Sequence, residues 1–325
     1  MIRYAIILIM IALYIILGLI TLLILLFLLG GLFAYRIAFY NDIKYEDPTR
    51  PVEGPQFENY EELMQKMINA SYQIPVDEEV DIKSYDHKKL HGYIYYAKEE
   101  NKPWVIFVHG YKGSPQRDFS GGIPEFMSRG FNVLAIDHRG HAKSDGRTIT
   151  FGAKEHIDLL GWIKYINDRF NNPDIVLYGI SMGGHTVLLV SGEKLTPNVK
   201  GIIADCPYTT PKAITLATSK QGGLSPHIAF PMLLSAATFF AHFNFLRWDA
   251  RKAVRKSNVP ILIYIGTEDK LVPPSMADEI KASNEKMITL FKVEGAPHGL
   301  SYIVDTNKVQ DEVSKFLKKI NVVSK

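Results

Sequence analysis

Apolar positions along this chain fall into three regimes. From Tyr4 to Tyr35 there is no charged residue, and most positions are Ile, Leu, Phe or Ala. About 20 apolar residues carry a helix across the hydrocarbon core, so this stretch predicts one transmembrane helix within residues 1–40, with tilt to spare. A secretory signal peptide is the competing reading, but its apolar region normally runs to only ~7–15 residues. Gly30, Gly31 and Ala34 make a weak cleavage site. Residues 41–74 are polar and proline-bearing, with a short amphipathic stretch near Tyr60–Ala70, and read as a linker or stalk. From 75 to 325, short apolar runs alternate with helix-like stretches, the pattern of an α/β fold with a mostly parallel central sheet flanked by helices.

Within that last region the runs can be named. Val80–Tyr85 and Leu90–Ala97 read as an antiparallel hairpin. Trp104–His109, Val133–Asp137, Ile175–Gly179, Gly201–Asp205, Ile261–Gly266 and Met287–Val293 read as strands. Helices are expected around Phe126 and over Lys154–Phe170, Met182–Leu195 and Val309–Ile320, the last with apolar positions at helical spacing. Ligand sites in open parallel sheets collect at the carboxyl ends of strands. The polar residues of interest nearly all follow such a strand.

Composition changes this picture little. The net charge of +3 over 325 residues is small and evenly spread, and no basic stripe with interleaved aromatics argues for nucleic acid. The single cysteine, Cys206, excludes an intramolecular disulfide framework and cysteine-rich metal sites. Charge around the apolar helix (Arg3 before it; Arg36, Lys44 and Arg50 after it) is nearly balanced. A short N-terminal tail usually stays in the cytoplasm, so the expectation is a single-pass cell-membrane protein with its large domain outside.

Candidate chemistry centres on Gly179-Ile180-Ser181-Met182-Gly183, a G-x-S-x-G string between an apolar run and a helix-like stretch. A serine there sits on a strained strand-to-helix turn, where flanking side chains would crowd it. Its hydroxyl needs a base to become a useful nucleophile. In the chain order Ser, acid, His, the candidates are Ser181, Asp269 in Gly266-Thr267-Glu268-Asp269, and His298 in Gly295-Ala296-Pro297-His298-Gly299. Asp205 and Glu268 remain alternatives for the acid. His227 and His242, in an apolar insertion, read as structural. A tetrahedral oxyanion needs two preset N–H donors. The backbone N–H of Met182 and that of Tyr111, in Val108-His109-Gly110-Tyr111, are the candidates. The alternative for Tyr111 is an ordinary packed or exposed aromatic.

Asp137 to Gly146 forms the most polar loop. Asp137, His138 and His141 match no strong metal template, so no metal and no cofactor are expected. Arg139 is expected to tie the loop down by pairing with carboxylates or carbonyls. Cys206 lacks elbow glycines and reads as a small buried hydrophobe.

Together the HGY turn, the D-x-R-G loop, G-x-S-x-G, the G-x-x-D loop and the terminal PHG resemble the α/β-hydrolase superfamily over about residues 75–320. The likeness is closest to the single-pass, small-capped hydrolases of Gram-positive bacteria. It implies an α/β-hydrolase fold with a small helical cap, a triad of Ser181, Asp269 and His298, and oxyanion donors at Tyr111 and Met182. Ala142 stands where the family's loop usually has a second glycine. The cap would be the insertion at about 209–258. Its stretch Ile228–Leu246 has no charged residue, but a second span would separate Ser181 from Asp269 and His298. It therefore reads as an apolar cap over the acyl site, with Phe230, Phe239, Phe240, Phe243 and Phe245 either meeting an apolar substrate portion or packing on the sheet. The expected activity is hydrolysis of a small-molecule ester or lipid-like substrate. A peptidase or amidase of the same fold, or a non-catalytic membrane-anchored binding protein, is the alternative.

Overall fold

Eight strands form one sheet in the computed structural model, which describes residues 2–42, 56–99 and 102–322. Lys44, Arg50 and part of the proposed stalk, residues 43–55, lie outside the described residues. The strands are β1 (Glu78–Lys83), β2 (Lys89–Tyr95), β3 (Trp104–Val108), β4 (Asn132–Ile136), β5 (Ile175–Ile180), β6 (Val199–Asp205), β7 (Ile261–Gly266) and β8 (Ile288–Val293). Their order is β1-β2-β4-β3-β5-β6-β7-β8, with β1 and β2 antiparallel and the rest parallel. After β3 the chain turns one way to β4, then crosses to the other side for β5. The carboxyl ends of β3 and β5 therefore flank a crevice, where ligands bind in sheets of this kind.

The helices are α1 (Ile2–Ala34), α2 (Glu61–Tyr72), α3 (Pro115–Asp118), α4 (Gly122–Ser128), α5 (Glu155–Phe170), α6 (Met182–Val190), α7 (Pro211–Gln221), α8 (Pro226–Ser235), α9 (Ala250–Val254), α10 (Ser275–Ser283), α11 (Ser301–Val304) and α12 (Thr306–Lys319). Side chains on a strand alternate faces. On β3, Trp104, Ile106 and Val108 join α5, α6 and α10 in one core layer, while Val105 and Phe107 join α4 and α12 in the other. Each fully buried Leu, Ile or Phe contributes about 1.5–3 kcal/mol. Helix α6 is shorter than expected: it stops before Ser191-Gly192, where Gly192 lies against Ala253 of α9.

Among the described residues one helix, Arg3–Phe39, is long and apolar enough to cross a membrane. Its last turn, Tyr35–Phe39, is π-helical and ends in the domain: Phe39 is fully buried and Tyr40 bridges to Thr148. The amphipathic stretch near Tyr60–Ala70 is α2, and its Ile68 is buried.

Candidate active site

Ser181 sits between β5 and α6 with φ 54° and ψ −111°, a region that costs an L-residue energy. Two backbone bonds hold it there. Its N–H donates to the Asp205 carbonyl at 2.9 Å, and its own carbonyl accepts from the His185 N–H at 2.9 Å. The turn is pressed so tightly against β3 that a Cβ on Gly183 would overlap the Val108 carbonyl. Glycine is required there by close approach.

Downstream loops bring two partners to the serine. His298 Nε2 lies 2.9 Å from Ser181 Oγ, and His298 Nδ1 lies 2.7 Å from Asp269 Oδ2. An Nδ1–H donated to the carboxylate leaves Nε2 free to accept from the hydroxyl. The other carboxylate oxygen of Asp269 accepts the N–H groups of Leu271 and Val272 at 3.0 and 2.7 Å, so the side chain cannot turn away. Both Asp269 and His298 are buried. Of the three carboxylates considered, only Asp269 contacts the histidine ring in this way. Glu268 points to solvent, and Asp205 keeps one buried oxygen without a hydrogen bond.

Met182 opens α6 directly after Ser181, and Tyr111 follows the β3 turn and lines the same cleft as Ser181. Asp118 and Phe151, not singled out in the sequence, help shape that turn. Asp118 Oδ2 accepts the Gly110 N–H at 2.6 Å, and His141 Nε2 accepts the Lys112 N–H at 3.2 Å. The Tyr111 ring stacks on Phe151, and its hydroxyl donates to the carbonyls of Ile37 and Ala38, both at 3.2 Å.

The histidines of the polar loop are structural. His109 accepts the His138 N–H, His138 Nε2 donates to the His109 carbonyl, and His141 Nδ1 donates to the Arg139 carbonyl. Burial pushes His109 well below its ordinary value, His138 down to about 4 and His141 to about 3, so all three are neutral. Arg139 pairs with Asp158 and Asp86. Cys206, Asp269 and His298 present ligand-type atoms within 4.8 Å of one another. Burial raises the Cys206 thiol well above its usual range, and His298 Nδ1 is already spent on Asp269. That trio is a poor cation cage.

A cleft of about 450 Å³ opens over Ser181 and His298. Its apolar wall comes from Phe57, Met64, Met67, Phe119 and Leu271, and Tyr178, Asp205 and Tyr264 also line it. This corrects the expectation of an apolar cap over the site. None of Phe230, Phe239, Phe240, Phe243 and Phe245 lines the cleft. Phe239 meets Phe27, Phe240 meets Tyr35, and Phe243 and Phe245 meet Phe39. The cap spends its apolar face on α1, and the cleft borrows its wall from the segment read as linker. The signal was present in α2, where Met64, Met67 and Ile68 share one face at helical spacing.

Burial pushes Asp205 up to about 7; His298 in its charged form opposes the shift and Asp269 adds to it. An acid raised above its unfolded value of about 3.9 loses native stability as pH climbs from that value to the folded one. Asp205→Asn is therefore expected to raise the melting midpoint roughly 5 °C more at pH 8 than at pH 5. Equal shifts at both pH values in a thermal melt would contradict it.

Residues 103–230 match the family model described as the alpha/beta hydrolase fold. YqkD, an uncharacterized protein of Bacillus subtilis, is 24% identical over 299 residues, covering 90% of this chain and 93% of its own length. Among solved structures, an esterase of Pyrococcus furiosus superposes with a TM-score of 0.63 at 24% identity, covering 85% of this chain and 98% of its own. Est1E of Butyrivibrio proteoclasticus, solved with ferulic acid bound, superposes with a TM-score of 0.58 at 22% identity, covering 74% and 98%.

Proposed function

We propose, from the premise that the chain belongs to the α/β-hydrolase superfamily, that it is a serine hydrolase cleaving carboxylic esters through an acyl-enzyme. The observation that carries this reading is the contact series Ser181 Oγ, His298 Nε2, His298 Nδ1, Asp269 Oδ2, at 2.9 and 2.7 Å. Ser181 Oγ attacks the carbonyl carbon while His298 Nε2 takes the hydroxyl proton. Charge on the carbonyl oxygen is met by the N–H groups of Met182 and Tyr111, with the α6 amino terminus behind the first. Collapse breaks the ester C–O bond, and His298 returns its proton to the leaving alcohol. Water, activated by the same histidine, then releases the acid and restores Ser181.

Support for ester over amide comes from the Pyrococcus furiosus relative, which is described as an esterase. Helix α1 serves in this proposal as a membrane anchor. The purified full chain should turn over p-nitrophenyl butyrate and bind a fluorophosphonate covalently, with aminoacyl and prolyl anilides cleaved far more slowly. Preference for the anilides would favour the amidase reading. Silence toward every probe from a folded sample would leave a binding protein.

A further inference from the structure

The anchor and the cap are packed as one apolar unit. Helix α8 crosses α1 where Gly31 lies so close to Ser235 that a Cβ there would overlap its hydroxyl, and Gly30 approaches Met232. Below that crossing, Arg3–Leu26 is exposed along its whole length and touches little else of the chain. At 1.5 Å per residue this part is about 36 Å long, close to the ~30 Å hydrocarbon core with modest tilt. The next turns, from Phe27 onward, are the ones the cap covers.

A bilayer filled by Arg3–Leu26 therefore has its surface at the level of the cap. The cap turns apolar side chains outward there: Ile228 is 56% exposed, Phe239 53% and Leu246 54%, and Phe33 and Ile37 of the anchor are exposed as well. No charged residue occurs from Ile228 to Leu246, yet Lys212 and Lys220 precede the stretch and Arg247 follows it. Tyr35, Tyr40 and Arg36 add an aromatic and basic rim, Arg36 lying 3.9 Å from the Tyr40 ring centre. Apolar centre and basic, aromatic edges are what a surface half-sunk in headgroups requires.

The cleft is tied to the same level. Tyr111, on its rim, is bonded to the carbonyls of Ile37 and Ala38, and Lys112 reaches Asp42. We propose that the cap lies in the membrane interface beside the anchor, so that the Ser181 cleft opens at the bilayer surface and takes long-chain acyl esters resident in the lipid. The substrate half of this proposal rests on the esterase reading above; the placement of the cap does not.

Two measurements on the full chain in phosphatidylethanolamine–phosphatidylglycerol vesicles separate them. Because Cys206 is buried, Ile228→Cys and Leu246→Cys can each carry a single environment-sensitive fluorophore, with Lys286→Cys, at the opposite end of the sheet, as control. Labels at 228 and 246 should be quenched by nitroxide lipids and shielded from iodide, and the control should do the reverse. Iodide quenching at all three sites overturns the placement, whatever the activity. Ile228→Lys with Leu246→Lys should cut turnover of vesicle-borne p-nitrophenyl palmitate about tenfold. Soluble p-nitrophenyl butyrate turnover should stay within about twofold of the parent. If palmitate turnover is unchanged, or if both substrates fall together with fluorophosphonate labelling retained, the lipid-access claim fails. Loss of all ester turnover in the unsubstituted protein would instead refute the esterase reading while leaving the quenching result intact.

Discussion

Ser181→Ala is expected to lower kcat on p-nitrophenyl butyrate by roughly 10⁴–10⁶-fold and to abolish fluorophosphonate labelling. The size follows from the route: without Oγ no acyl-enzyme forms, and what remains is the effect of oxyanion donors and binding on attack by water. His298→Ala should fall in the same range, because Oγ then has no acceptor for its proton. Asp269→Asn should cost about 10⁴-fold, since an amide in place of the carboxylate favours the wrong imidazole tautomer. Asp205→Asn should cost far less, as Asp205 makes no hydrogen bond to the ring. Intact-mass spectrometry after labelling, with steady-state kinetics, checks all four. Persistent labelling of Ser181→Ala would move the nucleophile elsewhere, and a mild Asp269→Asn beside a severe Asp205→Asn would exchange the acids.

The second large effect lies in stability. Arg139→Met should destabilise the fold by about 3–5 kcal/mol, the usual cost of removing one partner from a buried ion pair. Arg139 is 3% exposed in its side chain and reaches Asp158 twice, through Nε and Nη2, each at 2.6 Å. It also reaches Asp86 at 3.1 and 3.2 Å. Burial lifts Asp158 to about 6 even with Arg139 bonded to it. Once the arginine is gone, an ionised Asp158 has lost its principal partner, so the loss should be larger at pH 8 than at pH 5, where the acid can take up a proton. Replacing both residues, as Arg139→Met with Asp158→Leu, should recover much of the loss, because the buried Asp158 carboxylate is removed with its partner and the Asp86 left behind is part-exposed to water. Melting midpoints of the parent and the two variants decide the matter. A change below about 1 kcal/mol for Arg139→Met would mean the pair behaves like an exposed one.

Local patterns in this chain were legible because their causes are local. The strand runs, the elbow around Ser181 and the glycine requirement at Gly183 follow from side-chain alternation and from sterics within a few residues. The order of the polar loops placed Ser181, His298 and three carboxylates at one end of the sheet. Which carboxylate meets His298 was a matter of loop geometry. Asp269 is aimed by the Leu271 and Val272 amides, and neighbouring Glu268 faces water.

For the apolar cap, sequence alone had less to offer. A charge-free helix can face a substrate, a sheet, another helix or lipid with the same composition, because burial of apolar surface is favourable and non-directional. Only the tertiary structure sent Phe239, Phe240, Phe243 and Phe245 to the N-terminal helix and left the cleft wall to Phe57, Met64 and Met67. The chain by itself determined its sheet, its elbow and its long apolar helix, each encoded by neighbours. Tertiary contact decided which acid meets the histidine, what covers the serine and where the cap's apolar face goes. Those outcomes depend on loops and surfaces that meet only once the sheet is assembled, from 29 residues apart for Asp269 and His298 to more than a hundred for Ser181 and His298.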